Sequence, residues 1–400
     1  MECDGRSPKA QDGAALRICL VCSDYPPGPH GGIGTMTQLL ARALAARGHH
    51  VRAVGVYPPA YPAADLENDQ DVQVIRLRQP RHPFGWVLAR WRLLRLIRRW
   101  IQRQEIDAVE VPDWQGWAAG WPSLPIPVIA RLHGSAVYFA AELGRRAGAL
   151  TRHLESSSLR RVDFVCSASR YTAERTVELF QLGIATPEVL YNPVEASRVP
   201  ARPRARGRVV FTGTLTEKKG VVPLMRAWPQ VLAHVPEAQL HLYGKDGSTT
   251  SHTSMRGYMT SLLPEAALAS VRFHGHVARA TAVGALAEAW VAVFPSYAEA
   301  FAVAPLEAMA CGTPTVYTRR GSGPELIRDG QDGLLVEPDR PEEIAGALVR
   351  VLNDEVLANR LGAAGYGRVT EAFDLERLVT ANVAFYRRCI AGHRQAMVTS

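Results

Sequence analysis

The chain has 400 residues, too many for one ordinary core, and two domains are the natural expectation. Hydrophobic residues make up 47% and charged residues 21%, the balance of a soluble globular protein. No run reaches the length of a membrane span and residues 1–15 lack the apolar stretch of a secretion signal, which argues against an integral membrane or secreted protein and for the cytoplasm.

The formal net charge of +8 allows an acidic partner, whether nucleic acid, anionic lipid or sugar phosphate. Six cysteines are scattered along the chain. Cys19-Leu-Val-Cys22 has metal-ligand spacing, but it falls in a strand, where neighbouring side chains alternate faces, and no second Cys or His pair accompanies it. The cysteines read as ordinary buried thiols.

Residues 1–14 are a polar tail. Leu16–Cys22 is then expected as the first buried strand. A glycine-rich turn, Gly31-Gly32-Ile-Gly34, leads into an amphipathic helix to about Arg47, Gly48 stops it, and His50–Val56 is the second strand. Such a turn lets backbone approach a phosphate at a helix N-terminus, although a plain tight turn explains it equally well. It is neither the dinucleotide fingerprint nor a Walker loop.

Asp71–Leu77 alternates like a strand. Trp86–Arg103 follows as a helix with Leu93, Leu94, Ile97, Trp100 and Ile101 on one side and Arg92, Arg95, Arg99 and Arg103 on another. A basic amphipathic helix carrying tryptophans can lie on an anionic membrane, and a core-packed helix with a solvated arginine face fits the same pattern. Asp107–Asp113 and Pro127–Gly134 are further strands; a lone histidine is usually structural, but the second strand places His133 at its carboxyl edge, where α/β sheets bind ligands. Strands at Val162–Ser169 and Glu188–Val194 close the first half. Residues 196–207, rich in Pro and Arg and without periodicity, read as a linker.

A second α/β series starts with a strand from Arg208 that breaks at Gly213. A helix begins just after Gly220, with Lys218 and Lys219 at its threshold. The helix dipole disfavours two cations there, a conflict that an anion between them and the helix would resolve. Strands at Gln239–Gly244 and Val271–Val277 precede the segment that organises the chain. Trp290–Phe294 reads as a buried strand, Pro295 and Ser296 end it, and a helix begins near Val303, because Pro305 fits only a first helical turn. Glu299 then lies in the loop at the strand's carboxyl end and Glu307 about one turn into the helix. Between them the N–H groups of Phe301, Ala302 and Val303 offer a seat for phosphate. Two carboxylates flanking an anion seat suit a sugar nucleotide, although on spacing alone two surface glutamates at a helix start, where acidic residues are common, explain the pattern equally well.

Glu299 and Glu307 at Glu-x7-Glu spacing, Phe301 two residues after the first, and Leu306-Glu307-Ala308-Met309-Ala310-x-Gly312-x-Pro314 resemble the nucleotide-sugar signature of family 4 retaining glycosyltransferases, the glycosyl transferases of group 1. The resemblance runs from about Leu16 to Arg388. It implies an α/β chain of GT-B architecture, two Rossmann-like domains facing a central cleft: an acceptor domain over 15–195, a donor domain over 208–373, and a last helix, 374–400, crossing back to the first.

It also implies roles. Gly31, Gly32 and Gly34 face the sugar diphosphate; His133 contacts the transferred sugar; the backbone at His276 and Val277 recognises the base; Glu299 binds sugar hydroxyls and Glu307 the ribose. Lys219 matches the family's diphosphate-binding lysine, whereas Thr214 stands in place of its arginine, supplying a hydrogen bond but no charge. Lys218 or another arginine then compensates, or donor affinity is lower. Ala302 and Pro193 each replace a usual glycine.

The implied activity moves a hexose-type sugar from a UDP- or GDP-linked donor to a glycan, a lipid-linked sugar or a small molecule, with His133, Glu299 and Lys219 at the reacting centre. Surface polysaccharide or glycolipid assembly would suit the arginine-rich helix, with peripheral contact at the inner membrane face through Arg92, Arg95 and Arg99. No cofactor is expected, the sugar nucleotide being a substrate; no metal, for lack of an Asp-x-Asp pair near the site; and no nucleic acid. The alternatives are a natural-product glycosyltransferase, an NDP-sugar epimerase or sugar phosphorylase of the same fold, and a weak sugar-nucleotide binding protein. A Rossmann oxidoreductase fits least, lacking the dinucleotide fingerprint.

Overall fold

The computed structural model describes residues 13–195, 203–249, 251 and 253–399. Two sheets carry the chain. The first has eight strands, β1 (Arg17–Val21), β2 (His50–Tyr57), β3 (Leu66–Asp69), β4 (Val72–Arg78), β5 (Ala108–Pro112), β6 (Val128–Leu132), β7 (Phe164–Ser167) and β8 (Glu188–Val189), in the order β3-β4-β2-β1-β5-β6-β7-β8. From β4 to β6 the pairs are parallel, and β3 joins β4 antiparallel.

Its helices are α1 (Gly32–Ala46), α2 (Gly85–Gln102), α3 (Ala136–Glu142), α4 (Ala149–Arg161) and α5 (Arg170–Phe180). β3 has no apolar alternation, so the sequence gives no sign of it. Of the strand expected over Glu188–Val194 only Glu188–Val189 is regular; the Leu190 N–H still donates to the Ser167 carbonyl at 2.8 Å, Val194 makes an isolated parallel bridge to Asp374, and between them Pro193 has no N–H to offer a ladder.

The second sheet is parallel throughout: β9 (Ala205–Thr212), β10 (Gln239–Tyr243), β11 (Val271–Gly275), β12 (Ala289–Phe294), β13 (Thr315–Thr318) and β14 (Leu334–Val336), in the order β11-β10-β9-β12-β13-β14. Around it run α6 (Val221–His234), α7 (Met255–Ser261), α8 (Glu265–Leu268), α9 (Arg279–Ala287), α10 (Val303–Ala310), α11 (Gly323–Leu326), α12 (Pro341–Asn353) and α13 (Glu355–Ala372), followed by the long α14 (Leu375–Thr399). Every residue of β12 is buried, as its unbroken apolar run requires of a strand covered on both faces. The chain leaves β9 towards β10 on one side and returns to β12 on the other. The switch point of this sheet therefore lies between β9 and β12, and ligands of open α/β sheets bind at the carboxyl ends beside such a point.

The chain forms two compact units. One gathers the residues up to Arg131, His153–Cys166 and Val379 onward; the other gathers Leu132–Arg152 and Ser167–Leu378. Of the linker expected at 196–207, residues 196–202 lie outside the described residues, as do 1–12 of the tail, while Ala205–Gly207 already belong to β9.

Within the first unit, α2 packs Leu93, Ile97 and Trp100 inward, leaving Leu94 and Ile101 half-buried. Arg131 is buried there too. Its guanidinium donates to Glu110 on β5 at 2.8 and 2.9 Å and to Asn382 of α14 at 2.6 Å, and Tyr386 of α14 donates to the same carboxylate at 2.8 Å. Among the described residues no helix is long and apolar enough to cross a membrane.

Candidate functional site

β12 delivers Pro295 and the buried Ser296 into a loop that enters α10 at Val303, with Ala302 as N-cap and Gly312 ending the helix at φ +68°. Side chains from elsewhere in the same unit hold this loop by successive carbonyls. Tyr138 donates to the Glu299 carbonyl at 2.9 Å, Ser169 and Thr172 donate to that of Ala300 at 2.6 and 3.1 Å, and Asn192 Nδ2 donates to that of Phe301 at 2.8 Å. The buried Phe301 ring lies 4.9 Å from that of Tyr191 and 5.4 Å from that of Phe373. In a trans peptide the N–H points opposite the C=O, so fixing these carbonyls fixes the amides of Ala300, Phe301 and Ala302 on the other side. Those amides and the one at Val303 run up to the positive end of α10.

Glu299 itself is buried, and Lys219 Nζ donates to its Oε1 at 2.5 Å. Burial pushes this carboxyl up, but Lys219, Lys218 and a hydrogen bond from Ser296 outweigh burial and hold it below its ordinary value. Lys218 stands with Nζ 3.7 Å above the Phe139 ring, and burial lowers its ammonium to about 8, with Glu299 opposing and Lys219 adding. The conflict foreseen for two lysines beside a helix start is thus met here by a carboxylate of the protein.

Both lysines sit in a short 3-10 turn, Glu217–Lys219, that ends at Gly220 with φ +69°. A Cβ there would stand 1.7 Å from the Pro295 carbonyl oxygen, and the Tyr297 N–H donates to the Lys218 carbonyl at 2.8 Å. The turn after β9 is thereby clamped to the loop after β12, at the carboxyl ends flanking the switch point. Thr214, two residues beyond the end of β9, is exposed.

Glu307 lies on α10 and is also buried. Its Oε1 accepts from Arg279 Nε at 2.6 Å. Burial pushes this carboxyl up and a single half-exposed arginine only partly offsets it, so the group stays above its ordinary value. Two carboxylates eight residues apart are therefore driven in opposite directions. Arg279 opens α9, three residues after His276. His276 is exposed and Val277 half-buried, just past the end of β11.

His133 is buried directly after β6. The following Gly134 has φ +87°, a Cβ on it would stand 2.7 Å from the Phe139 ring, and Ser135 caps α3 by accepting from the Tyr138 N–H at 3.1 Å. His133, Lys218, Lys219, Thr214, His276, Val277, Glu299, Phe301, Ala302, Val303 and Glu307 all belong to the second unit.

Gly31, Gly32 and Gly34 belong to the first. Gly31 is the N-cap of α1 and its N–H donates to Asp24 at 3.0 Å, while a Cβ on Gly34 would stand 2.0 Å from the Asp24 carbonyl oxygen. Close backbone packing alone therefore requires the third glycine. Gly32 is exposed at the helix start.

The sequence missed Tyr138, Thr172 and Arg279. Ser169 and Asn192 lie in the expected strands Val162–Ser169 and Glu188–Val194, whose local pattern carries no sign that they hold the loop. Arg279 had one signal, its place just after the expected base-recognition pair. Among the described residues no cluster of three or more His, Cys, Asp or Glu side chains could hold a metal ion.

A glycosyl transferase 4-like domain model matches residues 31–195, and a model described as glycosyl transferases group 1 matches residues 206–354, which include Lys219, Arg279, Glu299 and Glu307. A glycogen synthase of Mycobacterium tuberculosis is 29% identical over 95% of this chain and 96% of its own. The GDP-mannose-dependent alpha-(1-6)-phosphatidylinositol monomannoside mannosyltransferase of the same organism is 28% identical over 93% of this chain and 98% of its own. Among solved structures, sucrose-phosphate synthase from Thermosynechococcus elongatus superposes with a TM-score of 0.76 at 22% identity, covering 94% of this chain and all of that one. The fold is that of the GT-B glycosyltransferases.

Proposed function

The chain is a glycosyltransferase of the group 1, family 4 kind, and from that membership we propose that it moves a hexose-type sugar from a nucleoside-diphosphate sugar to an acceptor hydroxyl with retention of anomeric configuration. The observation that carries the reading is the Lys219–Glu299 pair, clamped at the carboxyl edge between β9 and β12 and beside the start of α10.

The donor's diphosphate sits against Lys219, Lys218 and the amides at Phe301 to Val303, with no metal ion required. Its arrival draws Lys219 from Glu299, whose carboxylate then takes the sugar hydroxyls, while Glu307 takes the ribose and the backbone at His276 and Val277 the base. The bond between the anomeric carbon and the diphosphate oxygen breaks, and the lysines and amides stabilise the charge developing on that oxygen. The acceptor oxygen bonds to the same face of the anomeric carbon, and its proton passes to the departing diphosphate. His133 orients the sugar. Lys218, with an ammonium at about 8, supplies part of the charge that Thr214 lacks.

UDP and GDP are the nucleotides proposed. The mannosyltransferase relative is named for GDP-mannose and a lipid-linked acceptor, and the glycogen synthase is named for a polysaccharide. The test offers UDP-glucose and GDP-mannose with a glycogen oligosaccharide or a phosphatidylinositol mannoside, and reads the product by NMR. An α-linked product from an α-linked donor supports the proposal; an inverted linkage, or donor binding without any glycoside, contradicts it.

A further inference from the structure

Between Arg81 and Gln104 the chain has seven arginines and no acidic residue. α2 spends one side on the core through Ala89, Leu93, Ile97 and Trp100. On its outward side Trp91, Leu94, Arg95, Arg98, Arg99 and Gln102 line a shallow groove. Among the described residues no carboxylate lies within ion-pairing distance of Arg92, Arg95, Arg98 or Arg99. The Arg95 guanidinium instead stands 5.2 Å from the Trp91 ring centroid. Large apolar side chains cluster at the helix start: Phe84 is 68% exposed, Val87 45%, Leu88 39% and Trp91 52%. Burying these groups would gain free energy that water denies them, and the arginines behind them, Arg92 to Arg99, extend over about 10 Å of helix.

We propose that this face of α2 docks on an anionic phospholipid bilayer, with Phe84, Val87, Leu88 and Trp91 entering the interface and Arg92, Arg95, Arg98 and Arg99 on the headgroup phosphates. Charge complementarity selects this occupant. Unpaired arginines call for a dense anionic surface, and tryptophan beside aliphatic side chains suits the depth at which a bilayer changes from polar to apolar. The core-facing side of the helix is already filled, so contact comes from its N-terminal end and outer face rather than from a helix lying with its leucines in lipid.

The experiment sediments the full chain with vesicles of phosphatidylcholine, alone or mixed with phosphatidylglycerol, at low and high salt, and needs neither donor nor acceptor. The expected result is binding to the mixed vesicles only, weakened by salt. The triple variant Arg92→Glu, Arg95→Glu, Arg99→Glu should bind at least about a hundredfold more weakly, given roughly fivefold per cation near such a surface. Phe84→Ser with Trp91→Ser should also bind more weakly while keeping the salt dependence. An unchanged melting temperature shows that each variant is folded. Equal binding to both vesicles, no binding of the wild type to either, or binding that survives charge reversal would overturn the proposal.

Discussion

At the level of single residues, the two buried glutamates make opposite demands. Glu299 is held below its ordinary 4.5, so its contribution to stability is present above that value and is lost as pH falls through the lowered one. Glu307 is held above it, so its contribution is present below 4.5 and is lost as pH rises through the raised value. Lys219→Ala should therefore cost about 2 kcal/mol at neutral pH, less than a fully buried pair because the lysine is 27% exposed, and the deficit should shrink in acid. Glu307→Gln should instead gain on the order of 1 kcal/mol at neutral pH, an advantage that fades in acid, and yet lose donor affinity. Urea titrations of both variants across the acid range check the two signs. The spacing of the glutamates and the oddity of paired lysines were legible in the sequence. Arg279 was not, because its contact with Glu307 joins separate helices and leaves no local pattern.

Among the elements, the strand-loop-helix from β12 to α10 was readable because Pro305 and the buried run leave few alternatives. The clamp on its loop was not. Tyr138 and Asn192 reach it from more than a hundred residues away in sequence. The 3-10 turn before α6 depends on one such approach, and Gly220→Ala should expose it. A Cβ 1.7 Å from the Pro295 carbonyl, on a residue with φ +69°, forces the lysine turn away from the loop at a cost of about 2–4 kcal/mol. Lower stability and weaker donor binding together are the expected outcome. A variant with wild-type donor affinity would show that the turn does not position the lysines.

On the scale of the whole chain, two α/β series and a long last helix follow from periodicity, but the grouping of segments into compact units does not. Leu132–Arg152 and Ser167–Val194 belong with the second unit because Tyr138, Ser169 and Asn192 bond its central loop, and no composition signal marks those contacts. The end of the chain belongs with the first unit through Asn382 and Tyr386, which complete the buried Arg131–Glu110 pair. Truncation after Leu378 leaves that pair short of partners and uncovers core, so the shortened chain should be recovered largely insoluble or melt far below the full chain.

The most direct measurement is a thermal-shift panel of UDP, GDP, ADP, dTDP and their sugars on the wild type, Lys219→Ala and Glu307→Ala. A ligand that binds only the folded state raises its melting temperature by mass action. One nucleotide and its sugar should stabilise the wild type, and each variant should lose most of that shift while remaining folded. A wild type indifferent to every nucleotide, or variants that respond as fully as the wild type, would contradict a donor site built on Lys219, Glu299 and Glu307.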